Sequence, residues 1–245
     1  MSKRVQEQRQ AARMVREQLA REKRRKRTMW IALGVVAVLA IGGMIGYAIY
    51  AGQKPTSYNT PAHANADGTA IVTGSGPVKV DIYQDYLCPY CRQFHDSAGA
   101  ALTQMAEQGQ ITLAIHPVAI LDRASTNEYS TRSAAASGCA ADGGKFFEFN
   151  DALYANQPAE GTAGPTDEQL IATGTGLGLT DTFATCVNDG TYMTWPEHTT
   201  DAFSAAGLSG TPSVLVNGTK VDPTLAAVQA AVAAAAPATG TPSAS

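Results

Sequence analysis

The sequence predicts an α/β fold in which a β-sheet carries a helical insertion, preceded by a single membrane-spanning helix. An apolar, β-branched run (Val78–Tyr83) is followed directly by Cys88-Pro-Tyr-Cys91 and then by helical periodicity, which is typical of a strand leading into a helix. Strand-forming segments fall into two blocks, and a helix-rich region of roughly 80 residues separates them. A sheet interrupted by a helical insertion accounts for this order.

The N-terminus has the charge pattern of a membrane anchor. Residues 1–28 carry 11 Lys/Arg and 3 Glu, whereas residues 29–51 form an uncharged run of 23 residues. As a helix this run would extend about 34 Å, enough to cross a bilayer core of about 30 Å. It exceeds the 7–15 apolar residues of a cleaved signal peptide. We therefore expect a cytoplasmic segment (1–28) and an uncleaved transmembrane helix (29–51).

The basic run Arg21–Arg27 lies immediately before the predicted span. Positive residues at this place put the N-terminus in the cytoplasm and can contact anionic lipid. This position explains the run better than nucleic-acid binding does, so we expect membrane lipid and no nucleic acid as a partner. The rest of the chain then faces the outside, where disulfides persist. Its four cysteines are expected to form two bridges.

The elements after the span follow from composition and periodicity. A Pro-, Ser- and Asn-containing segment predicts a polar linker over 52–67, and the folded domain is expected over 68–235. A first block predicts strands at 70–73, 78–83 and 111–115, with a helix at 88–107 completing a βαβ unit.

The predicted helical insertion covers about 124–206, with helices at 129–141, 145–156, 166–173 and 180–188. Strand character returns at 213–216, where Asn217-Gly218 predicts a hairpin to a partner strand beginning at 220–221. An alanine-rich helix (224–235) follows, and residues 236–245 have the composition of a disordered tail.

The two cysteines of Cys88-Pro-Tyr-Cys91 form a motif with the layout of a thiol–disulfide redox centre. Cys88 is predicted at the helix start, where unpaired N–H groups and the helix dipole stabilise a thiolate. Pro89 suits the first helical position because its missing N–H would have no partner there. Cys91, one turn further, is the expected resolving thiol, and Tyr90 between them is expected to be exposed and to contact substrate.

The motif has two other interpretations. A structural zinc site needs four ligands, but Cys139 and Cys186 are 47 positions apart and no His-x-x-x-His completes a set. We therefore expect no metal. A plain structural disulfide at Cys88–Cys91 is the other alternative.

The second cysteine pair is Cys139 and Cys186, which fall in two helical segments. They are expected to form a structural disulfide, and a second redox pair is the alternative for them.

Several motifs together resemble the thioredoxin superfamily and, within it, the DsbA-like branch. Thr211-Pro212, about 120 residues after Cys91 and just before strand 213–216, is similar to the cis-proline loop that abuts the redox cysteines in that fold. The helical insertion is the feature that separates DsbA-like proteins from plain thioredoxins. Further local matches resemble membrane-anchored DsbA-like proteins of actinobacteria: Asp85-Tyr86, Leu121–Arg123, Tyr129-Ser130 and Gly144–Phe149.

The resemblance implies an extracytoplasmic oxidoreductase that introduces disulfides into exported proteins by exchange at Cys88–Cys91. It implies no prosthetic group, and re-oxidation by a membrane quinone-linked partner (VKOR-like or DsbB-like). Thr211 and Pro212 would present backbone groups to substrate. A reductase or isomerase of the same fold remains an alternative, as does a non-enzymatic binding or chaperone module.

This chain departs from the family pattern at two positions. Family members often carry a buried acid six residues before the first cysteine, where this sequence has Ile82, and Asp81 lies one residue away. The dipeptide between the cysteines is Pro-Tyr instead of Pro-His, so one source of thiolate stabilisation is missing. His95, one turn after Cys91, is expected to be a solvated helix residue.

Overall fold

The computed structural model describes residues 29–30, 41–44 and 57–236. The two short pieces are helical, whereas segment 1–28, most of the expected span 29–51 and the tail beyond 236 lie outside the described residues. In the part of the chain that is described, no helix has both the length and the apolar character needed to cross a bilayer. Residues 57–236 belong to one folded domain.

A five-stranded mixed sheet forms the centre of this domain, with strand order β1-β3-β2-β4-β5. The parallel pairing of β2 with β3 confirms the predicted βαβ unit, and the other three pairings are antiparallel. Alternate side chains of β2 point to opposite faces, and the residues from Val80 to Ile82 are buried on both faces. The strands are β1 (Ile71–Thr73), β2 (Val78–Gln84), β3 (Ile111–Pro117), β4 (Ser213–Val216) and β5 (Thr219–Val221).

The predicted helix over 88–107 has three parts. Helix α1 (Pro89–Phe94) is followed by a π-helical turn (His95–Gly99) and by α2 (Ala100–Glu107). A Cβ atom at Gly99 would lie 2.9 Å from Nδ1 of His95, so the absent side chain leaves room for the imidazole in the wider turn. Helical periodicity alone does not show this irregularity, because the turn adds a single residue.

Five helices form the insertion, one more than the four segments named from the sequence. Their order along the chain is α3 (Tyr129–Asp142), α4 (Phe146–Ala155), α5 (Asp167–Gly176), α6 (Asp181–Asn188) and α7 (Trp195–Ala205). The additional helix, α7, begins with the fully buried Trp195, whose Nε1 donates to the carbonyl of Gly68 at 2.6 Å.

Helices α5 and α6 approach closely at Gly174, where an added Cβ would lie 2.2 Å from the Phe183 ring. Gly174→Ala is therefore expected to overpack this contact and lower the free energy of unfolding by about 1–3 kcal/mol. Gly176→Ala is the matched control, because beyond the local backbone of its own helix no atom lies within 4 Å of the added methyl. It should be neutral or stabilising, since alanine favours the helix. Urea denaturation of both variants measures the difference; equal stabilities would contradict this packing.

The hairpin predicted at Asn217-Gly218 is confirmed. Both residues have positive φ (47° and 80°), as the tight turn between β4 and β5 requires. The Asn217 side chain also accepts a hydrogen bond from the backbone N–H of Lys79 at 2.8 Å, which fixes the hairpin against β2. Helix α8 (Leu225–Ala235) follows, with Thr224 as its N-cap.

The described part of the expected linker, 57–67, packs on the domain. The Tyr58 ring stacks on His198 with ring centroids 3.7 Å apart, and Nδ2 of Asn59 donates to the carbonyl of Thr191 at 2.8 Å. Oδ1 of Asp142 accepts from the N–H of Ala62 at 2.9 Å. Segment 57–67 is thus part of the packed structure, before the predicted boundary at 68. Its polar composition gave no sign of these contacts, because their partners lie more than 70 residues away.

Candidate active site

The redox cysteines lie where β2 leads into α1. Cys88 is the N-cap of α1, with Pro89 at the first helical position as predicted. The backbone N–H of Cys88 donates to the carbonyl of Asp85 at 3.0 Å, closing a turn over 85–88, and its own carbonyl accepts from Arg92. The sequence order strand, turn, helix therefore positions Cys88 at the start of the helix dipole.

Cys88 and Cys91 are both buried and carry free thiols. The structure holds one bridge and one dithiol, and the dithiol is the reduced state of the pair expected to form the second bridge. In this reduced form of a pair that exchanges, the Cys91 thiol donates to Cys88.

Thr211 and Pro212 lie beside the cysteines. Cys88 Sγ donates to the carbonyl of Thr211 at 3.4 Å, and the Thr211–Pro212 bond is cis, as the resemblance implies. Strand pairing explains the approach across 123 residues of sequence, since Ser213 at the start of β4 pairs with Tyr83 at the end of β2. The loop after β2 and the loop before β4 therefore meet at the same edge of the sheet.

The pKa values of the two cysteines are shifted in opposite directions. A hydrogen bond from Cys91 lowers the pKa of Cys88 to about 6 against the effect of burial, and the Thr211 side chain and the N–H groups of Tyr90 and Cys91 lower it further. Burial raises the pKa of Cys91, and the neighbouring Cys88 raises it further. The geometry therefore makes Cys88 the thiolate and Cys91 the protonated partner.

The alkylation rate of reduced enzyme is expected to follow the Cys88 thiolate, because the thiolate is the nucleophile. With a pKa of about 6, the rate should be half-maximal near pH 6 and should fall as the pH is lowered. Stopped-flow measurement with iodoacetamide between pH 4 and 9 tests this. A midpoint near the ordinary thiol value of about 8.5 would contradict the stabilisation.

Tyr90 and Gln157 flank the pair. The Tyr90 side chain lies between the cysteines and is 69% exposed. Gln157, just after α4, donates from Nε2 to the carbonyls of Tyr86 at 2.9 Å and Cys88 at 3.0 Å. Sequence reasoning missed Gln157, since a single glutamine after a helix carries no motif.

The acid beside the turn is Asp85, and sequence reasoning considered Asp81 instead. The Asp85 side chain is fully buried, and burial raises its pKa to about 6. Asp81 pairs with His116 Nε2 and with Lys79 Nζ, both at 2.9 Å. Burial would raise the pKa of Asp81, but these hydrogen bonds outweigh it and hold the pKa below its usual range. The alternation of β2 points Asp81 away from the side chain of Ile82.

His95 is not the solvated residue expected from its place on the helix. Its side chain is only 19% exposed, with Nε2 3.2 Å from Oδ1 of Asp151, and its ring stacks on Tyr154 with centroids 4.8 Å apart. Helix α4 covers this side of the π-helical turn. The imidazole therefore joins α4 of the insertion to the helix that carries the cysteines.

Cys139 and Cys186, the pair expected to be structural, are joined by a disulfide with a Cα–Cα distance of 5.8 Å. The bond links α3 to α6 within the insertion. Cys139 is buried, and Cys186 is partly buried. Among the described residues, no cluster of three or more His, Cys, Asp or Glu could hold a metal ion.

A family model described as thioredoxin matches residues 67–234, more than half of the chain. The chain belongs to the thioredoxin superfamily. Its structure is similar to the reduced form of the disulfide oxidoreductase DsbG of Mycobacterium tuberculosis. The two share 32% identity and a TM-score of 0.61 over 68% of this chain and 87% of that one. It is also similar to reduced DsbA of the same organism, with 28% identity and a TM-score of 0.57 over 68% and 99% of the two chains.

Within the superfamily this chain is a DsbA-like thiol–disulfide oxidoreductase, and so an enzyme. MdbA of Actinomyces oris, a thiol-disulfide oxidoreductase with 24% identity, shares the fold at a TM-score of 0.59 over 73% and 93% of the two chains. The serine/threonine-protein kinase PknE of Mycobacterium tuberculosis is 29% identical over 159 residues, 60% of this chain. The chain spans only 28% of the length of that relative.

Proposed function

We propose that this enzyme is an extracytoplasmic oxidase that introduces disulfides into exported proteins. The proposal rests on the hydrogen bonds at Cys88, which lower its pKa to about 6 and stabilise the thiolate, and so the reduced form of the pair. A stabilised dithiol makes the corresponding disulfide a stronger oxidant, because reducing it is then more favourable.

The exchange proceeds in two displacements. A substrate thiolate attacks Cys88 Sγ of the Cys88–Cys91 disulfide; a mixed disulfide forms, and the electron pair leaves on Cys91 Sγ, which takes up a proton. A second thiolate of the same substrate attacks the substrate sulfur of the mixed disulfide and expels the Cys88 thiolate. The substrate loses two electrons and the enzyme gains them. A quinone-linked membrane partner, VKOR-like or DsbB-like, would re-oxidise the enzyme.

The proposed location depends on the N-terminal sequence. The basic residues before the uncharged run 29–51 favour a single crossing with the N-terminus inside and the domain outside. The Cys139–Cys186 disulfide suits an oxidising compartment. A membrane-impermeant maleimide should label Cys88 in intact, reduced cells. Labelling that appears only after lysis would reverse the orientation and remove the oxidase from its compartment.

The direction of catalysis is tested by equilibrating the Cys88–Cys91 pair with glutathione buffers. The proposal expects a reduction potential clearly above the value of about −270 mV typical of thioredoxin. Oxidised enzyme should also form the disulfides of a reduced test protein. A potential at or below the thioredoxin value would contradict the oxidase assignment and favour a reductase.

Isomerisation of existing disulfides is the second candidate. The pKa of about 6 at Cys88 lies between about 7 in thioredoxin and about 3.5 in DsbA, which leaves the pair less strongly oxidising than DsbA. Rescue of a test protein with scrambled disulfides distinguishes the two activities. The free, acidic thiol of Cys88 argues against the third alternative, a non-enzymatic binding or chaperone module.

A further inference from the structure

The Asp85 carboxylate joins the redox turn to the helical insertion. Oδ1 accepts from the N–H of Leu87 at 2.9 Å and from Oγ of Ser130 at 2.6 Å, and Oδ2 accepts from the N–H of Leu121 at 2.9 Å. These donors come from three parts of the chain: the 85–88 turn, the segment after β3, and the first turn of α3. Asp85 and Ser130 are both fully buried.

No positive charge compensates this carboxylate among the groups that face it in the described structure. The titratable groups are Cys88 and Cys91 of the redox motif, Tyr129 of α3 and Tyr154 of α4. Arg123, two residues after Leu121, is exposed. The one basic residue of α3, Arg132, directs its guanidinium to Asp167 at 2.8 Å. The negative charge of Asp85 is therefore held by dipoles alone, three residues before the nucleophile.

We propose that Asp85 is a positioning residue through which the helical insertion sets the reactivity of Cys88. The carboxylate fixes the 85–88 turn and places a negative charge that opposes the Cys88 thiolate. The inference rests on the proposed function only in taking Cys88 as the exchanging sulfur, and it is independent of the direction of exchange.

Asp85 and Cys88 lie on the same turn, and the Cys88 thiolate contributes to the raised pKa of Asp85. The effect is reciprocal, because a charge on one group makes the other harder to ionise. The hydroxyl of Ser130 favours the ionised form of Asp85 by donating to Oδ1. Loss of that donor should let Asp85 keep its proton to higher pH and so reduce its repulsion of the thiolate. Loss of the carboxylate charge should remove the repulsion altogether.

The pH profile of Cys88 alkylation tests this in the full dithiol enzyme. In Asp85→Asn the midpoint should fall by at least about half a pH unit, a threefold gain in thiolate below the midpoint. The profile should also sharpen to one titration. Ser130→Ala should lower the midpoint by less. Ser133→Ala is the matched control and should leave the midpoint unchanged, since this buried serine donates only to carbonyls of its own helix.

If Asp85 only held the turn in place, Asp85→Asn would shift the midpoint in the opposite direction. A loosened turn would move Cys88 away from the helix N-terminus and so raise the midpoint of its alkylation profile. A raised or unchanged midpoint in folded Asp85→Asn overturns the inference. If Asp85→Asn does not fold, Ser130→Ala decides: a midpoint equal to that of Ser133→Ala, or higher, overturns it. The reduction potential is a separate measurement, so a reductase-like value would remove the oxidase proposal and leave this result standing.

Discussion

Cys88→Ala is expected to abolish thiol–disulfide exchange, whereas Cys91→Ala should retain attack at Cys88 and accumulate mixed disulfides. Cys91→Ala loses the hydrogen bond from the Cys91 thiol, but the Thr211 side chain and the backbone N–H groups of residues 90 and 91 still favour the Cys88 thiolate. A thiolate is both the better nucleophile and the better leaving group. In wild-type enzyme Cys91 resolves the mixed disulfide. Without it, bound substrate can leave only by reaction with a second thiol.

Non-reducing electrophoresis of Cys91→Ala incubated with a disulfide-containing test protein should show adducts that reductant releases. The Cys88→Ala/Cys91→Ala double variant is the control and should show none. Adducts of equal yield in Cys88→Ala would contradict the assigned roles. That result would require Cys91 to react although burial raises its pKa and leaves it only 2% exposed.

Most of the sheet could be predicted because its signals are local. The run 78–83 is apolar and β-branched, and the structure extends the strand by one residue to Gln84. The pair Asn217-Gly218 requires positive φ and therefore specifies the hairpin wherever it lies in the chain. Each of these elements is determined by residues adjacent in the sequence, so the sequence alone is enough to predict it.

The features that were missed depend on distant contacts. The segment 57–67 has a linker composition, yet it is ordered by Thr191, Asp142 and His198, more than 70 residues away. Gln157 holds the turn from 69 residues away, and Ser130 reaches Asp85 across 45. No periodicity marks such partners.

The acid of the site illustrates the limit of a family pattern. The position six residues before Cys88 holds Ile82, next to Asp81, but the alternation of β2 directs Asp81 to His116. Asp85 lies after the strand ends, where the chain turns, and its direction follows from the turn and not from strand alternation. Its bond to the Leu87 N–H, two residues on, is the local pattern that aspartate often makes in turns.

The second disulfide is expected to stabilise the fold without taking part in exchange. It closes a loop of 47 residues between α3 and α6, which restricts the unfolded chain by about 4 kcal/mol in the chain-entropy model. Cys139 is only 2% exposed, and burial disfavours the thiolate that would have to leave when a thiol attacks Cys186. A mild reductant should therefore open the Cys88–Cys91 bond first.

Cys139→Ala/Cys186→Ala is thus expected to lose about 4 kcal/mol of the free energy of unfolding while keeping the wild-type exchange rate. Urea denaturation of the two oxidised proteins measures the loss, and exchange with a reduced peptide measures the rate well below the unfolding transition. Peptide mapping of non-reduced wild type should find Cys139 bound to Cys186. A dominant Cys91–Cys139 linkage, or loss of exchange in a variant that is still folded, would contradict a structural role and indicate electron transfer between the two pairs.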